Sequence, residues 1–227
     1  MVKNKSILVV AFFMTLFLFL SIYFFNTLLN KEREEAVELR MDTFLENYQD
    51  MQTLSIMSDV FGEEVTCLAM EAQILSMNNE LWDTGRKIDQ YRARTEEFMN
   101  DPFFLEQKKS FNRNEVLYFS MVKGMQEWCQ LNQTLILYFY KKKEECPDCD
   151  AQAFVLTDIK NELNEEIAIF SFDMNLELAP VSILAEYYNV TSYPCIVINE
   201  NADCGLYNKE KIMNLMVIND QQTYVVE

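Results

Sequence analysis

Two cysteines three residues apart, Cys146 and Cys149, stand at a strand-to-helix junction, and that placement constrains the fold more than any other feature of the chain. Before them runs Thr134-Leu135-Ile136-Leu137-Tyr138-Phe139-Tyr140, apolar and of strand length; after them, Ala151 to Leu163 is patterned as a helix. The pattern predicts a buried strand feeding a helix, with Cys146 as N-cap and Pro147 at the first helical position, where a missing N–H costs nothing. Cys149 then falls one turn later on the same face, so the two sulfurs can close as a disulfide or open as a dithiol. An exposed Cys146 at the positive end of the helix dipole would favour the thiolate that attacks disulfides. Two other readings of the pair stand beside this one. It can be half of a structural zinc site completed by Cys195 and Cys204, or an inert structural disulfide.

Downstream, Val190-Thr191-Ser192-Tyr193-Pro194-Cys195-Ile196-Val197-Ile198 joins the end of a helix to a β-branched strand through an X-Pro step. In order, the predicted elements from Thr134 are a strand, the CxxC helix, a strand over 167–174, a helix over 179–188 and the X-Pro step. A strand over 195–199, a short strand near 204–207 and a helix over 209–216 complete the series. With Cys146-Pro147-Asp148-Cys149 and Tyr193-Pro194 in this order and at this separation, the segment resembles a thioredoxin-like domain: an α/β fold with a mixed central sheet flanked by helices.

The resemblance implies roles by position. Cys146 would be the attacking thiolate and Cys149 the resolving thiol. Pro194 would be a cis residue, with Tyr193 presenting its backbone to an extended substrate. The sequence departs from the family in three places. Glu145 stands where thioredoxins place a tryptophan, Tyr138 and Tyr140 stand near the position of a buried acid, and no first βα unit precedes Thr134 unless a helix substitutes for it. Glu144, Glu145, Asp148 and Asp150 crowd the thiols and disfavour a thiolate, whereas Lys141-Lys142-Lys143 opposes them. That balance favours reduction or isomerisation over oxidation.

The chain has 227 residues, a net charge of −17 and no histidine. An acidic surface without a basic stripe excludes nucleic acid as a partner class, and the absence of histidine removes imidazole catalysis and imidazole metal ligation. Neither a metal nor an organic cofactor is expected.

Lys3 and Lys5 precede an uncharged apolar run from Ile7 to Phe25, with Leu28 and Leu29 beyond it. It supplies the roughly 20 residues needed to cross a bilayer, exceeds a signal-peptide core and lacks an A-x-A-like cleavage site. A membrane anchor through residues 7–29 is therefore expected. The flanking lysines place the N-terminus in the cytoplasm and the bulk of the chain outside, where disulfides persist.

The expected organisation is an N-terminus and anchor at 1–30, a helical region at 31–131, the thioredoxin-like domain at 132–219 and a tail at 220–227. Within the helical region, Val37, Met41, Phe44, Tyr48 and Met51 draw one amphipathic helix. After a serine-rich join, a second helix opens at Asp59 and carries Cys67, Met70, Ile74, Met77 and Leu81, and around Gly85 it either continues or bends toward Phe98. Asn100-Asp101-Pro102 marks a break with Asp101 as N-cap and Pro102 at N1, followed by helices over 103–111 and 115–129. Cys67 and Cys129 both lie on apolar stripes, as an interhelical disulfide or as buried thiols. Cys195 and Cys204 flank a strand-turn-strand; they can pair across it, or Cys195 can stand free as a third thiol near the active pair. Asn132-Gln133-Thr134 and Asn189-Val190-Thr191 are acceptor sequons for glycosylation.

These readings lead to a membrane-tethered thiol–disulfide oxidoreductase acting on extracytoplasmic protein thiols and recycled by a redox partner, its oligomeric state unspecified. The alternative is a non-catalytic thioredoxin-like binding module whose CxxC is a fixed disulfide.

Overall fold

The computed structural model describes residues 3–92 and 102–220. The chain divides into two units, Met1–Asp42 and Thr43–Glu227, and helix α1 (Lys3–Phe61) contributes to both. In the first unit, Ile7–Leu29 is a 23-residue stretch of mean hydropathy 2.6 with none of it buried, long and apolar enough to cross a membrane. Its threonines satisfy their hydroxyls inside the helix, Thr15 on the Ala11 carbonyl at 3.1 Å and Thr27 on the Tyr23 carbonyl at 2.9 Å. Such internal satisfaction is what a hydrocarbon environment demands.

In the second unit, α1 runs without interruption through the serine-rich segment where a join was expected. A lone serine can bond back to its own helix, as Ser58 does to the Ser55 carbonyl, so it does not stop one. The stop comes at Gly62, whose φ of +91° is the left-handed conformation that glycine adopts at little cost. Helix α2 (Glu63–Arg92) then returns antiparallel to α1, fastened by Asn47 Nδ2 to Glu80 Oε2 at 3.1 Å and by Gln73 Nε2 to Asn47 Oδ1 at 2.9 Å. Helix α2 runs unbroken to Arg92, so of the two readings the structure shows continuation at Gly85. A Cβ there would sit 2.9 Å from the Phe111 ring, so glycine is what lets that ring pack against α2. Helix α3 (Pro102–Trp128) opens on its proline as expected but continues through Asn112 and Asn114 instead of dividing there. Asp101, the expected N-cap, lies outside the described residues. The interior between these helices is built from Phe44, Met51, Ile74, Met77, Tyr118 and Val122, with the Tyr118 hydroxyl donating to the Ile74 carbonyl at 2.9 Å.

The remainder is a mixed α/β layer. Strands β1 (Thr134–Tyr140), β2 (Ile167–Asp173), β3 (Cys195–Ile198) and β4 (Asn201–Cys204) form one sheet in the order β2-β1-β3-β4. β1 is parallel to β2 and antiparallel to β3, and β3 is antiparallel to β4. The crossover between β1 and β2 is α4 (Cys149–Leu163); that between β2 and β3 is α5 (Ala179–Tyr187); α6 (Lys209–Asp220) follows β4. β1 is buried over its five middle residues because the sheet is covered on both sides. Ile136 and Tyr138 pack with Leu156, Ile159, Ile212 and Met216 on one side. Phe139, Phe170 and Phe172 are buried on the other, where the Phe139 and Phe172 rings meet at a tilt and the rings of Tyr118 and Phe119 lie 5.7 and 5.4 Å from that of Phe170.

β4 starts earlier than the expected 204–207, because Asn199 and Glu200 both take positive φ, +48° and +70°, and close a two-residue hairpin. The outer edge of β2 is closed by helical side chains. Ser171 N–H donates to Glu115 Oε1 at 2.7 Å, and Asp173 N–H donates to Asn112 Oδ1 at 2.9 Å. Asn112 Nδ2 donates to the Ser171 carbonyl at 3.3 Å, and Asn78 Nδ2 to that of Ile167 at 3.4 Å. All three strand residues are odd-numbered, the set whose backbone groups face away from β1. The helices thus do here what a further strand does in a longer sheet.

Candidate functional site

The CxxC pair sits where β1 runs out. Cys146 and Cys149 are joined as a disulfide with Cα atoms 5.4 Å apart. The helix begins two residues later than the sequence suggests. Cys146, Pro147 and Asp148 form a turn closed by Cys149 N–H on the Cys146 carbonyl at 3.2 Å, and Asp148 is the N-cap, with its side chain uninvolved in capping. Cys146 is held by its own N–H on the Lys142 carbonyl at 2.9 Å, which turns it away from the capping position. It is also not the exposed thiol expected, since Cys146 is 1% and Cys149 3% exposed. The Tyr138 hydroxyl reaches across from the strand to the Cys149 carbonyl at 2.6 Å and fixes the first residue of the helix on the sheet.

A polar tie holds the segment that leads into the pair. Lys141 Nζ bonds Glu145 Oε2 at 2.6 Å, Asn175 Nδ2 donates to Glu145 Oε1 at 2.5 Å, and Lys142 N–H donates to Asn175 Oδ1 at 2.7 Å. The Lys141 and Asn175 bonds hold the Glu145 carboxyl below the usual carboxylate range, and Glu145 in turn raises Lys141. Asn175 follows Asp173, whose Oδ1 caps the turn after β2 by accepting the Asn175 N–H at 2.9 Å. The end of β2 is thereby tied to the approach to the cysteines.

The Tyr193-Pro194 loop lies at the same end of the sheet. Phe139 pairs with Cys195 across β1 and β3, so the loop ahead of Cys195 emerges beside the end of β1, and Lys141 Nζ lies 5.4 Å from the Tyr193 ring centre. The Tyr193–Pro194 bond is cis. Gly205 N–H donates to the Pro194 carbonyl at 2.8 Å, and Gln152 Oε1 accepts the Tyr207 N–H at 2.7 Å, which places the segment after β4 between the proline loop and α4.

The other four cysteines also pair. Cys67 and Cys129 join α2 to the end of α3 with Cα atoms 5.4 Å apart, and Cys195 and Cys204 face each other across β3 and β4 at 3.9 Å. Cys195 is thus a cross-strand half-cystine instead of a third thiol. The four cysteines of the zinc alternative are two disulfides, which leaves no thiolate quartet.

Several residues at this site were not singled out from sequence. Lys108 of α3 forms a buried ion pair with Asp173, and its Nζ lies 5.3 Å from the Tyr140 ring centre. Glu115 is buried; desolvation pushes its carboxyl well above the usual range, the Ser171 N–H opposes that shift, Asp89 adds to it and Lys108 offsets it. Cys149 lines a cavity of about 50 Å³ together with Asp89, Asp150, Tyr138 and Tyr140. Asp89 and Tyr140 also line a neighbouring cavity of about 110 Å³ that reaches Glu115 and Lys108. On their helices Asp89, Lys108 and Glu115 look like ordinary surface charges, and only the packing of α2 and α3 against the sheet brings Asp89 to the cavity at Cys149 and Lys108 and Glu115 to its neighbour.

No protein-family model matches the chain, and no curated protein matches it. Among solved structures it is similar to one described as a malarial protein, with 20% identity over 38% of this chain and 97% of the other, at a TM-score of 0.33. It is also similar to thioredoxin-2, described as a component of the malaria parasite protein secretion machinery, with 19% identity over 40% of this chain and 84% of the other, at a TM-score of 0.32.

Proposed function

We propose that this chain is a thiol–disulfide oxidoreductase of thioredoxin-like architecture, anchored through residues 7–29 with its N-terminus in the cytoplasm and its cysteines outside. The carrying observation is the Cys146–Cys149 disulfide at the first turn of α4, directly after a central strand and at the end of the sheet where the Pro194 loop emerges. In the reducing direction the Cys146 thiolate attacks one sulfur of a client disulfide and releases the other as a thiolate. Cys149 then gives up its proton and attacks the Cys146 sulfur, so the client leaves as a dithiol and the pair is left oxidised, two electrons having passed. Asp89 and Asp150, across the small cavity, are the acceptors we assign for the Cys149 proton. A dithiol donor must restore the pair. The carboxylates at Glu144, Asp148 and Asp150 disfavour the thiolate and so favour reduction or isomerisation. Tyr193 and Pro194 form the client platform.

The test is trapping in the full-length chain. Cys149→Ser should accumulate a mixed disulfide with a client through Cys146, cleaved by dithiothreitol and absent from the variant that also carries Cys146→Ser. One observation favours a second reading, a binding module with a fixed disulfide: both cysteines are buried, so a client reaches the sulfurs only after the residues over them shift. A wild-type chain that neither reduces nor oxidises a model disulfide, together with no trapped adduct, would establish that second reading.

A further inference from the structure

The α1–α2 hairpin is inverted in polarity at its tip. The residues turned inward beside Gly62 are Ser58 and Thr66, both buried, and each satisfies its hydroxyl within the hairpin backbone, on the Ser55 carbonyl at 2.7 Å and the Gly62 carbonyl at 2.8 Å. The large apolar residues point outward instead. Ile56, Val60, Phe61, Val65 and Leu68 range from 62% exposed at Phe61 to 76% at Val60. Ile56 and Val60 are one turn apart on α1, and Val65 and Leu68 are one turn apart on α2, so each helix shows the pair on one face. Met51, Met70 and Ile74, farther from the turn, are the apolar residues these two helices bury, and the tip residues are not among them. Exposed apolar groups clustered in this way, beyond what a monomer scatters over its surface, mark an interaction site.

Charge selects the occupant. From Thr43 to Gly85 the chain carries eight carboxylates and neither lysine nor arginine, and Asp59, Glu63 and Glu64 are exposed at the patch itself. A second copy would set those carboxylates against their own kind, and an anionic bilayer would repel them. A cationic surface is drawn in. Apolar pairs one turn apart on two helices fit the stripe that an amphipathic helix presents at i, i+3, i+4 and i+7. We propose that the tip of the α1–α2 hairpin is a docking surface for a cationic amphipathic helix of another protein.

The test uses the full-length chain in its native membrane, with p-benzoylphenylalanine in place of Val60 as a photocrosslinker. The expected result is a light-dependent adduct whose crosslinked peptide, once sequenced, is an amphipathic segment of another protein rich in lysine or arginine. Reversing the rim with Asp59→Lys, Glu63→Lys and Glu64→Lys, the apolar residues untouched, should cut the adduct by about tenfold or more, as like charges across an interface do. Crosslinking the unreversed chain in high salt gives the same readout without any change of fold and should likewise lower the yield. The same crosslinker at Ile183, exposed on α5, should not capture that peptide. Absence of any adduct, crosslinks to lipid alone or to a second copy alone, a neutral or acidic crosslinked segment, or a yield indifferent to both rim reversal and salt would each overturn the proposal.

Discussion

Replacing Asn112 with alanine should unseat the helical side chains that close the outer edge of β2. Asn112 is buried, and its amide serves Asp173 N–H, the Ser171 carbonyl and Glu115 Oε2, the last at 3.1 Å. Truncation leaves the buried Asp173 N–H without an acceptor, costing about 1–3 kcal/mol, and the half-buried Ser171 carbonyl without this donor, costing less. Because neighbours relax in part, the expected loss is about 2–4 kcal/mol, read as a shift in the denaturant midpoint of the full-length chain in detergent with its disulfides intact. The pattern of amide exchange is more telling than the magnitude. Asp173 N–H should lose protection, while Ser171 N–H should keep it, because its acceptor is Glu115 and not Asn112. A loss under about 1 kcal/mol, the lower end of the cost of one buried unsatisfied group, with Asp173 as protected as before, would refute the substitution of helices for a strand at this edge.

Lys108→Met should cost about 3–5 kcal/mol in thermal unfolding, because it strands a buried carboxylate, and adding Asp173→Asn should recover most of that loss. Burial holds the Lys160 amine down to about 8 from its ordinary value of 10.5, so folding favours its neutral form. Stability should therefore rise as pH climbs from about 8 towards 10.5 and fall back on return, and Lys160→Met should remove that part of the pH profile. Glu145→Ala should leave the denaturant midpoint essentially unchanged, as substitutions at exposed positions do. It should nonetheless speed reduction of Cys146–Cys149 by dithiothreitol, because it releases the tie to Lys141 and Asn175; an unchanged rate would mean that the tie does not guard the sulfurs.

Local signals were legible where one element decides its own state. The apolar run at 134–140, the helical patterning after Cys149, and the X-Pro step ahead of a β-branched run all correspond to elements of the structure. Periodicity also found the inward stripe of α2, since Met70, Ile74, Met77 and Leu81 are buried. Local signals misled where backbone geometry or distant packing decides. A serine-rich stretch resembles a break, but the Ser58 hydroxyl bonds within the helix and Gly62 is the stop. Asn199-Glu200 lacks the usual glycine of a tight hairpin, yet both residues take positive φ, and β4 starts three residues early. Asn78, Lys108, Asn112 and Glu115 look like solvent-facing positions on helices, and nothing in their spacing tells that the outer edge and the end of β2 will claim them. The burial of Cys146 has the same origin: exposure at a turn depends on which loops close over it.

The measurement that bears most directly on the proposed chemistry is redox equilibration of the full-length chain against graded glutathione buffers, with the state of Cys146 and Cys149 read by alkylation and mass spectrometry. A redox-active pair should titrate reversibly as a two-electron couple, with Cys67–Cys129 and Cys195–Cys204 still oxidised at its midpoint. A Cys146–Cys149 bond that stays closed until the other two disulfides open and the chain unfolds would contradict an exchange role and leave the pair a structural staple.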